Sequence, residues 1–128
     1  MAAVRAVSFV RDDVSALDRM IQRSVFLWSC RTRGWEAGPT EHQQREGLWA
    51  WSRVLRQING GGCQVVIVDT VDRLASSDVG RNAVLALLRR EGVRLVAERD
   101  GVDTGDAVGR ALVDDLISPP GPRPFVGL

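Results

Sequence analysis

The sequence has no lysine, one histidine, two cysteines and no apolar run near the roughly 20 residues that a membrane-spanning helix needs. Cys30 and Cys63 form no CxxC pair and His42 offers them no nearby partner, so we expect buried or idle thiols rather than a metal or redox site. The first residues lead into an apparent strand rather than a signal peptide. A cytoplasmic protein without membrane contact is therefore expected.

The absence of lysine means that all 17 basic residues are arginine, which a GC-rich coding bias explains at least as well as a need for phosphate donors. The formal net charge of +1 gives no overall attraction to nucleic acid, so DNA contact would have to come from a local cluster. Apolar residues make up 45% of the 128 positions and charged residues 26%, which is typical of one folded globular domain.

The first part of the chain predicts a strand followed by an amphipathic helix. Residues 4–10 alternate with an apolar excess, and the carboxylates of Asp12 and Asp13 then suit a helix N-terminus. The helix is expected to end before Gly34. Its predicted core-facing stripe is Leu17, Met20, Ile21, Val25 and Trp28.

A second helix is predicted after the Gly38-Pro39 break. Thr40 and Gln43 have the spacing of a capping box, which would open this helix. The run Asn59-Gly60-Gly61-Gly62 would end it. Its predicted apolar face is Leu48, Trp51, Leu55 and Ile58.

The second half repeats the order strand, helix, strand, helix. Val65–Val68 is a short β-branched run, typical of a central strand that is buried on both faces. Ser77 and Asp78 can cap a helix that reaches Gly92, and residues 93–97 predict the next strand. The apolar residues of these two predicted helices are Val84, Leu85, Leu87 and Leu88, then Val108, Ala111, Leu112 and Leu116.

The last helix is expected to run from about Asp106 to the Pro119-Pro120 pair. The predicted domain therefore spans residues 1–117, and residues 118–128 form a proline-rich tail. Strands that alternate with helices predict an α/β fold in three layers, with a mostly parallel central sheet flanked by helices.

Sites in such sheets lie beyond the carboxyl ends of the strands. Two segments converge there: Phe9-Val10-Arg11 after the first strand and Asp72-Arg73-Leu74 after the central strand. Arginines at this edge are what a phosphodiester requires, because guanidinium groups neutralise its oxygens and stabilise charge in the transition state.

Several further short motifs lie along the rest of the chain. In this chain they are Val65–Val68, Asp72-Arg73-Leu74, Glu91-Gly92-Val93, Asp103-Thr104 and Gly109, with Arg45-Glu46-Gly47-Leu48 upstream. Together with Phe9-Val10-Arg11, this pattern resembles the catalytic domain of serine recombinases of the resolvase and invertase family over roughly residues 4–117. The resemblance implies a resolvase-like fold and DNA recombination without metal or external cofactor.

The resemblance also implies that the nucleophile is lost. Members of the family attack DNA with a serine two residues after the first arginine, and the matching residue here is Asp13. A carboxylate brings negative charge to a phosphate, and its acyl-phosphate product would hydrolyse. Ser76 stands where the family has another arginine. The family residues that remain are Arg11, Arg45, Asp72 and Arg73.

We therefore expect a pseudoenzyme that touches DNA phosphates through Arg11, Arg45 and Arg73 and pairs with itself or with another protein. The family's last helix is long, makes the dimer contact and leads to a DNA-binding module, whereas Pro119 stops it here.

Two alternatives stay open at this point. One is an active recombinase in which Ser15 or Ser8 replaces the lost nucleophile, although Ser15 is expected to cap or to face solvent. The other is a protein-binding adaptor without DNA contact, which uses the last helix and the tail. Trp49 is the tryptophan best placed to be exposed for base stacking, and His42 has no assigned function.

Overall fold

The computed structural model describes residues 3–44 and 47–118. Five strands and four α-helices alternate along this part of the chain, except that the last two strands follow each other. The strands are β1 (Arg5–Arg11), β2 (Glu36–Gln43), β3 (Val65–Val68), β4 (Arg94–Ala97) and β5 (Val102–Asp103). The helices are α1 (Ala16–Arg33), α2 (Trp49–Asn59), α3 (Asp78–Arg90) and α4 (Ala107–Ile117). None of the described helices is long and apolar enough to cross a membrane.

The five strands form one sheet in the order β2-β1-β3-β4-β5, in which only the β4–β5 pairing is antiparallel. Alternate side chains of each strand point to opposite faces. Ala6, Val65 and Ile67 pack against α1, while Val7 and Val66 pack against a core supplied by α2, α3 and α4. The predicted three-layer α/β fold with a mostly parallel central sheet is confirmed.

Several local predictions are also confirmed. All four residues of β3 are buried at the centre of the sheet. Ser77 caps α3 by accepting a hydrogen bond from the Gly80 backbone N–H, and Gly34 ends α1 in the left-handed conformation. Cys30 and Cys63 are buried free thiols. The Pro119-Pro120 stop and residues 119–128 lie outside the described residues.

The capping box predicted at Thr40 and Gln43 is wrong, because residues 36–43 form β2 at the edge of the sheet. Hydrogen bonding along β1 overrides the weak strand propensity of this segment. Gly38 allows the close approach, since a Cβ there would lie 2.5 Å from the Ala6 carbonyl oxygen. Pro39 is tolerated on an edge strand. The helix begins only at Trp49.

The predicted core stripe of α1 is also wrong. Leu17, Met20 and Trp28 are 65%, 67% and 56% exposed. The helix instead buries Phe26 with Gln22, Ser29 and Cys30. Polar Gln22 can face the sheet because its amide is satisfied there: Oε1 accepts from the Arg11 backbone N–H at 2.8 Å, and Nε2 donates to the Arg11 carbonyl at 2.9 Å.

The buried face of α4 also differs from the predicted one, since this helix buries Gly109 and Val113. Of the residues predicted to face the core, Val108 and Leu112 are exposed and Leu116 is only partly buried. Gly109 must be small, because a Cβ there would lie 1.8 Å from the Asp103 carbonyl oxygen. The close contact between α4 and β5 therefore sets which face turns inward.

Candidate functional site

The carboxyl ends of β1 and β3 bring together the arginines predicted from the sequence. Arg11 is the last residue of β1, and Asp72 and Arg73 lie in a short 3-10 turn, Val71–Leu74, directly after β3. Strands β1 and β3 are parallel neighbours, so both segments emerge at the same edge of the sheet. Arg45 lies outside the described residues, so its position relative to this pair stays a prediction.

Arg11 is a buried arginine with a partly occupied guanidinium. Its side chain is 4% exposed. Nε donates to Asp13 Oδ1 at 2.9 Å and Nη2 donates to Asp13 Oδ2 at 2.5 Å, so the carboxylate is bound through both oxygens. Nη1 is buried and has no hydrogen-bond partner among residues 3–44 and 47–118. One strong donor group therefore remains open at this site.

Asp13 thus binds to the guanidinium from the position that the resemblance assigns to the nucleophile. The hydrogen bonds from Arg11 are the main reason that the pKa of Asp13 lies below its ordinary value, and the charges of Arg11 and Arg73 act in the same direction. Burial opposes the shift. Asp13 is therefore a stable anion at neutral pH, and Arg73 is close enough to Asp13 to influence it.

Arg73 is surrounded by carboxylates rather than free. Its Nη2 lies 3.4 Å from Asp18 Oδ1, and its Nε lies 3.8 Å from Asp69 Oδ2. Asp69 has no exposed side-chain surface and also accepts two hydrogen bonds from the guanidinium of Arg99. Asp69 directly follows β3 at the edge predicted from the sequence and lies four residues before Arg73, whereas Asp18 comes from α1 and was not indicated.

Asp72 does not pair with its neighbour Arg73. Its carboxylate faces solvent and accepts a hydrogen bond from Arg81 Nη1 at 3.1 Å, on α3. The Asp-Arg dipeptide is therefore split between two environments: Arg73 lies in the charged cluster, and Asp72 pairs with Arg81 of α3. Ser76 is exposed in the segment between them and the helix.

The two hydroxyls considered as replacement nucleophiles are otherwise engaged. Ser15 caps α1, and its Oγ accepts a hydrogen bond from the Asp18 backbone N–H at 3.1 Å. The capping function predicted for Ser15 is confirmed. Ser8 lies within β1 and is 1% exposed.

An open groove of about 450 Å³ lies beside this site, between β2 and the start of α2. Trp49 lines it and is 73% exposed, as predicted. His42 also lines the groove, and its Nδ1 lies 3.0 Å from the Asp12 carboxylate, a hydrogen-bonding contact that the sequence alone did not indicate. Trp51, by contrast, is buried, stacks on Phe9 with centroids 4.2 Å apart and belongs to the core.

Within the described ranges, no three His, Cys, Asp or Glu side chains are grouped so that they could hold a metal ion. What this edge of the sheet offers is a set of guanidinium groups, Arg11, Arg73 and Arg99, facing the carboxylates of Asp13, Asp18 and Asp69. Guanidinium groups bind phosphate oxygens, and carboxylates compete for the same donors.

The chain has the fold of serine recombinase catalytic domains. It matches the N-terminal catalytic domain of TP901-1 integrase with a TM-score of 0.72 and 18% identity, over 88% of this chain and 90% of that one. A resolvase family site-specific recombinase from Streptococcus pneumoniae matches with a TM-score of 0.67 and 18% identity, over 88% and 85%. The C-terminal catalytic domain of ISC1926 TnpA, an IS607-like serine recombinase, matches with a TM-score of 0.59 and 24% identity, over 90% and 79%.

No protein-family model and no curated protein matches the sequence. At 18% to 24% identity, the likeness to solved structures establishes the fold, and it confirms the resolvase-like fold that the motifs predict.

Proposed function

We propose that this chain is a recombinase-type domain that does not carry out strand exchange and that retains part of a phosphate-binding site at the ends of β1 and β3. One observation carries the proposal: the carboxylate of Asp13 stands at the position matched to the serine nucleophile and is bound to Arg11 through both oxygens. A carboxylate so placed repels a phosphodiester, and both oxygens that could attack are already engaged.

A covalent-adduct assay tests the loss of chemistry. The purified chain is incubated with supercoiled DNA, denatured with detergent and examined for protein that stays attached to DNA. Wild type is expected to form no adduct, because Ser15 caps α1 and Ser8 is buried in β1. An adduct that Ser15→Ala or Ser8→Ala abolishes would contradict the proposal and favour an active enzyme with a displaced serine.

The phosphate-binding part is tested separately by DNA retention at low and moderate salt. Arg11, Arg45 and Arg73 are the proposed contacts, and in wild type, where Asp13 occupies two donors of Arg11, retention should come chiefly from Arg45 and Arg73. The double variant Arg45→Ala, Arg73→Ala should lose the salt-sensitive part of retention, because each phosphate contact contributes to the salt slope. Arg90→Ala, Arg31→Ala is a matched control on exposed surfaces away from the site. Equal retention by wild type and the site variant would exclude the phosphate contacts.

A second candidate function, protein association, is favoured by the exposed apolar residues. Leu17, Met20 and Trp28 lie at helical spacing along α1, and Val108 and Leu112 lie on α4. Exposed large apolar side chains that repeat along one helix face, as on α1, are typical of interaction surfaces. Sedimentation over a range of concentrations should show self-association or a partner-dependent shift that Met20→Glu weakens. Val79→Glu, a substitution of an isolated exposed residue on α3, is the control.

A further inference from the structure

The guanidinium of Arg11 is only partly satisfied inside the protein. Nε and Nη2 donate to Asp13, while Nη1 is buried without a partner among the described residues. A buried charged donor without an acceptor is costly, so native proteins rarely leave one in place without a function. Nη1 therefore has a donor capacity that no acceptor among the described residues uses, and an anion bound in place of Asp13 would supply one beside the same guanidinium.

Asp13 is held at the site by few contacts. It is two residues from Arg11 along the chain, its side chain is 34% exposed, and its carboxylate makes side-chain hydrogen bonds only to Arg11 within the described ranges. A rotation of the Asp13 side chain toward solvent would free Nε and Nη2 without moving a helix or strand. The third donor group, Nη1, has no acceptor among the described residues that would compete with a phosphate.

A carboxylate and a phosphate bind a guanidinium in the same way, through two parallel hydrogen bonds. We propose that Asp13 is a built-in occupant of a phosphate site formed by Arg11 and Arg73, and that removal of this carboxylate opens the site to a phosphate group. This inference rests on the proposed function, because it assigns to Asp13 the control of that phosphate-binding site.

The charges around the site support this assignment. Three guanidinium groups, of Arg11, Arg73 and Arg99, face the three carboxylates of Asp13, Asp18 and Asp69. This cluster has no net charge, so an incoming anion gains little from it. Without Asp13 the buried guanidinium of Arg11 loses its carboxylate partner, and in surroundings of low dielectric its uncompensated charge acts strongly.

Asp69 and Asp18 are less suited to act as the removable carboxylate. Asp69 is fully buried and fixed by Arg99, and its main-chain carbonyl also accepts a hydrogen bond from the Arg99 N–H at 2.9 Å. Asp18 lies within the first turn of α1, where its backbone N–H binds the capping Ser15. Of the three, Asp13 alone combines partial exposure with a contact to the buried guanidinium.

The experiment titrates inorganic phosphate into wild type, Asp13→Asn and Asp13→Ser, with sodium chloride at matched ionic strength, and follows binding by calorimetry and amide NMR. Both variants should bind phosphate at least about tenfold more tightly than wild type, since bidentate charge-assisted hydrogen bonds replace a repulsion. The shifts should centre on Arg11 and its neighbours. Adding Arg73→Gln to Asp13→Asn should remove most of the gain.

Asp72→Asn is the matched control, because it also removes one carboxylate at this edge but the residue pairs with Arg81. Amide NMR spectra establish first that each variant is folded. Phosphate affinity unchanged from wild type in both folded Asp13 variants, or an equal gain in Asp72→Asn, would overturn the inference. The proposed loss of chemistry would stand in that case, because the adduct assay on wild type tests it independently.

Discussion

Four aspartates in the described ranges bind an arginine through both carboxylate oxygens, and two of these pairs, Arg94–Asp103 and Arg11–Asp13, differ in what surrounds them. Asp103 joins β5 to Arg94 on β4, with distances of 3.0 and 2.8 Å, and its Oδ1 also accepts from the Gly105 N–H at 2.7 Å. Arg94 in addition lies 4.9 Å from the Trp35 ring. The Arg11–Asp13 pair joins residues that are already neighbours in the chain.

The comparison shows that the same type of ion pair can either stabilise the fold or occupy a binding site. The Arg94–Asp103 pair connects two strands and is satisfied on several sides, so its effect is on stability. The Arg11–Asp13 pair connects nothing distant, and it leaves Nη1 of a buried guanidinium open. We interpret Arg94–Asp103 as a structural pair and Arg11–Asp13 as a binding site that the Asp13 carboxylate closes.

The largest expected effect is at the contact between α4 and β5, where Gly109 packs against the Asp103 carbonyl oxygen. Gly109→Ala should lower the free energy of unfolding by about 3 kcal/mol, because the new Cβ would lie 1.8 Å from that oxygen and α4 would have to shift. Urea unfolding measures the loss. Gly92→Ala, at φ +68° with open space around it, is the control and should cost about 1 kcal/mol. Equal losses of unfolding free energy in the two variants would show that the contact between α4 and β5 is not tightly packed.

The next effect separates the two pairs directly. Asp13→Asn in phosphate-free buffer should lower the free energy of unfolding by about 2 kcal/mol, because a buried guanidinium loses its charged partner. Phosphate should restore a large part of this loss. Urea unfolding with and without phosphate gives both values, and a loss that phosphate leaves unchanged would count against the closed-site interpretation.

Asp103→Asn should have a smaller effect, about 1 kcal/mol, because Arg94 remains partly exposed and solvent screens the pair. Phosphate should not alter this loss. The same urea experiment checks it, with Asp114→Asn as a control that should lose less still, because the Asp114 side chain is 53% exposed and that of Asp103 is 23% exposed. A phosphate-dependent recovery in Asp103→Asn would remove the distinction between the two pairs.

Acid should weaken both pairs. The pKa values of Asp13 and Asp103 are lowered in the folded protein, chiefly by hydrogen bonds from Arg11 and Arg94. The folded state therefore binds fewer protons than the unfolded state, and this stabilisation is present above about pH 4 and lost as the pH falls through the folded pKa values. Urea unfolding at pH 5 and pH 3 should show a smaller pH-dependent loss in Asp13→Asn than in wild type. An equal loss would contradict the assignment.

The smallest effect is expected at the exposed tryptophan beside the site. Trp49→Ala should change the free energy of unfolding by no more than about 0.5 kcal/mol, since the side chain is 73% exposed. Trp51→Ala should cost about 3 kcal/mol, because that indole is buried against Phe9 and donates to the Leu74 carbonyl at 2.9 Å. Thermal or urea unfolding distinguishes them. Similar losses would place Trp49 in the core as well.

The sequence predicts most of the fold because its strongest signals are local. The β-branched run at Val65–Val68, the Ser77 cap and Gly34 each act within a few residues, and each is where it is expected. The strand at residues 36–43 could not be recognised in this way, because partner β1 stabilises it rather than its own propensity. The inward face of α1 was likewise hidden, because Gln22 becomes core-compatible only through its hydrogen bonds to Arg11.

For a similar reason, only part of the site could be predicted from the sequence. Arg11 and Arg73 were indicated by motifs at the ends of two strands, and the structure brings both to one edge. Of their carboxylate partners, Asp69 lies only four residues before Arg73, whereas Asp18 comes from α1 and no short-range pattern connects it to Arg73. A pairing that depends on three elements becomes visible only once the elements are packed.

Arginine side-chain NMR tests the central claim most directly, because the Nε–Hε resonance of Arg11 reports on the donor that Asp13 occupies. Inorganic phosphate is added to wild type and to Asp13→Asn, and the Arg11 resonance is followed, with Arg94 as an internal reference. The account predicts that phosphate leaves Arg11 nearly unchanged in wild type and shifts it in Asp13→Asn. An Arg11 resonance that ignores phosphate in both proteins, or that shifts equally in both, would contradict a site closed by Asp13.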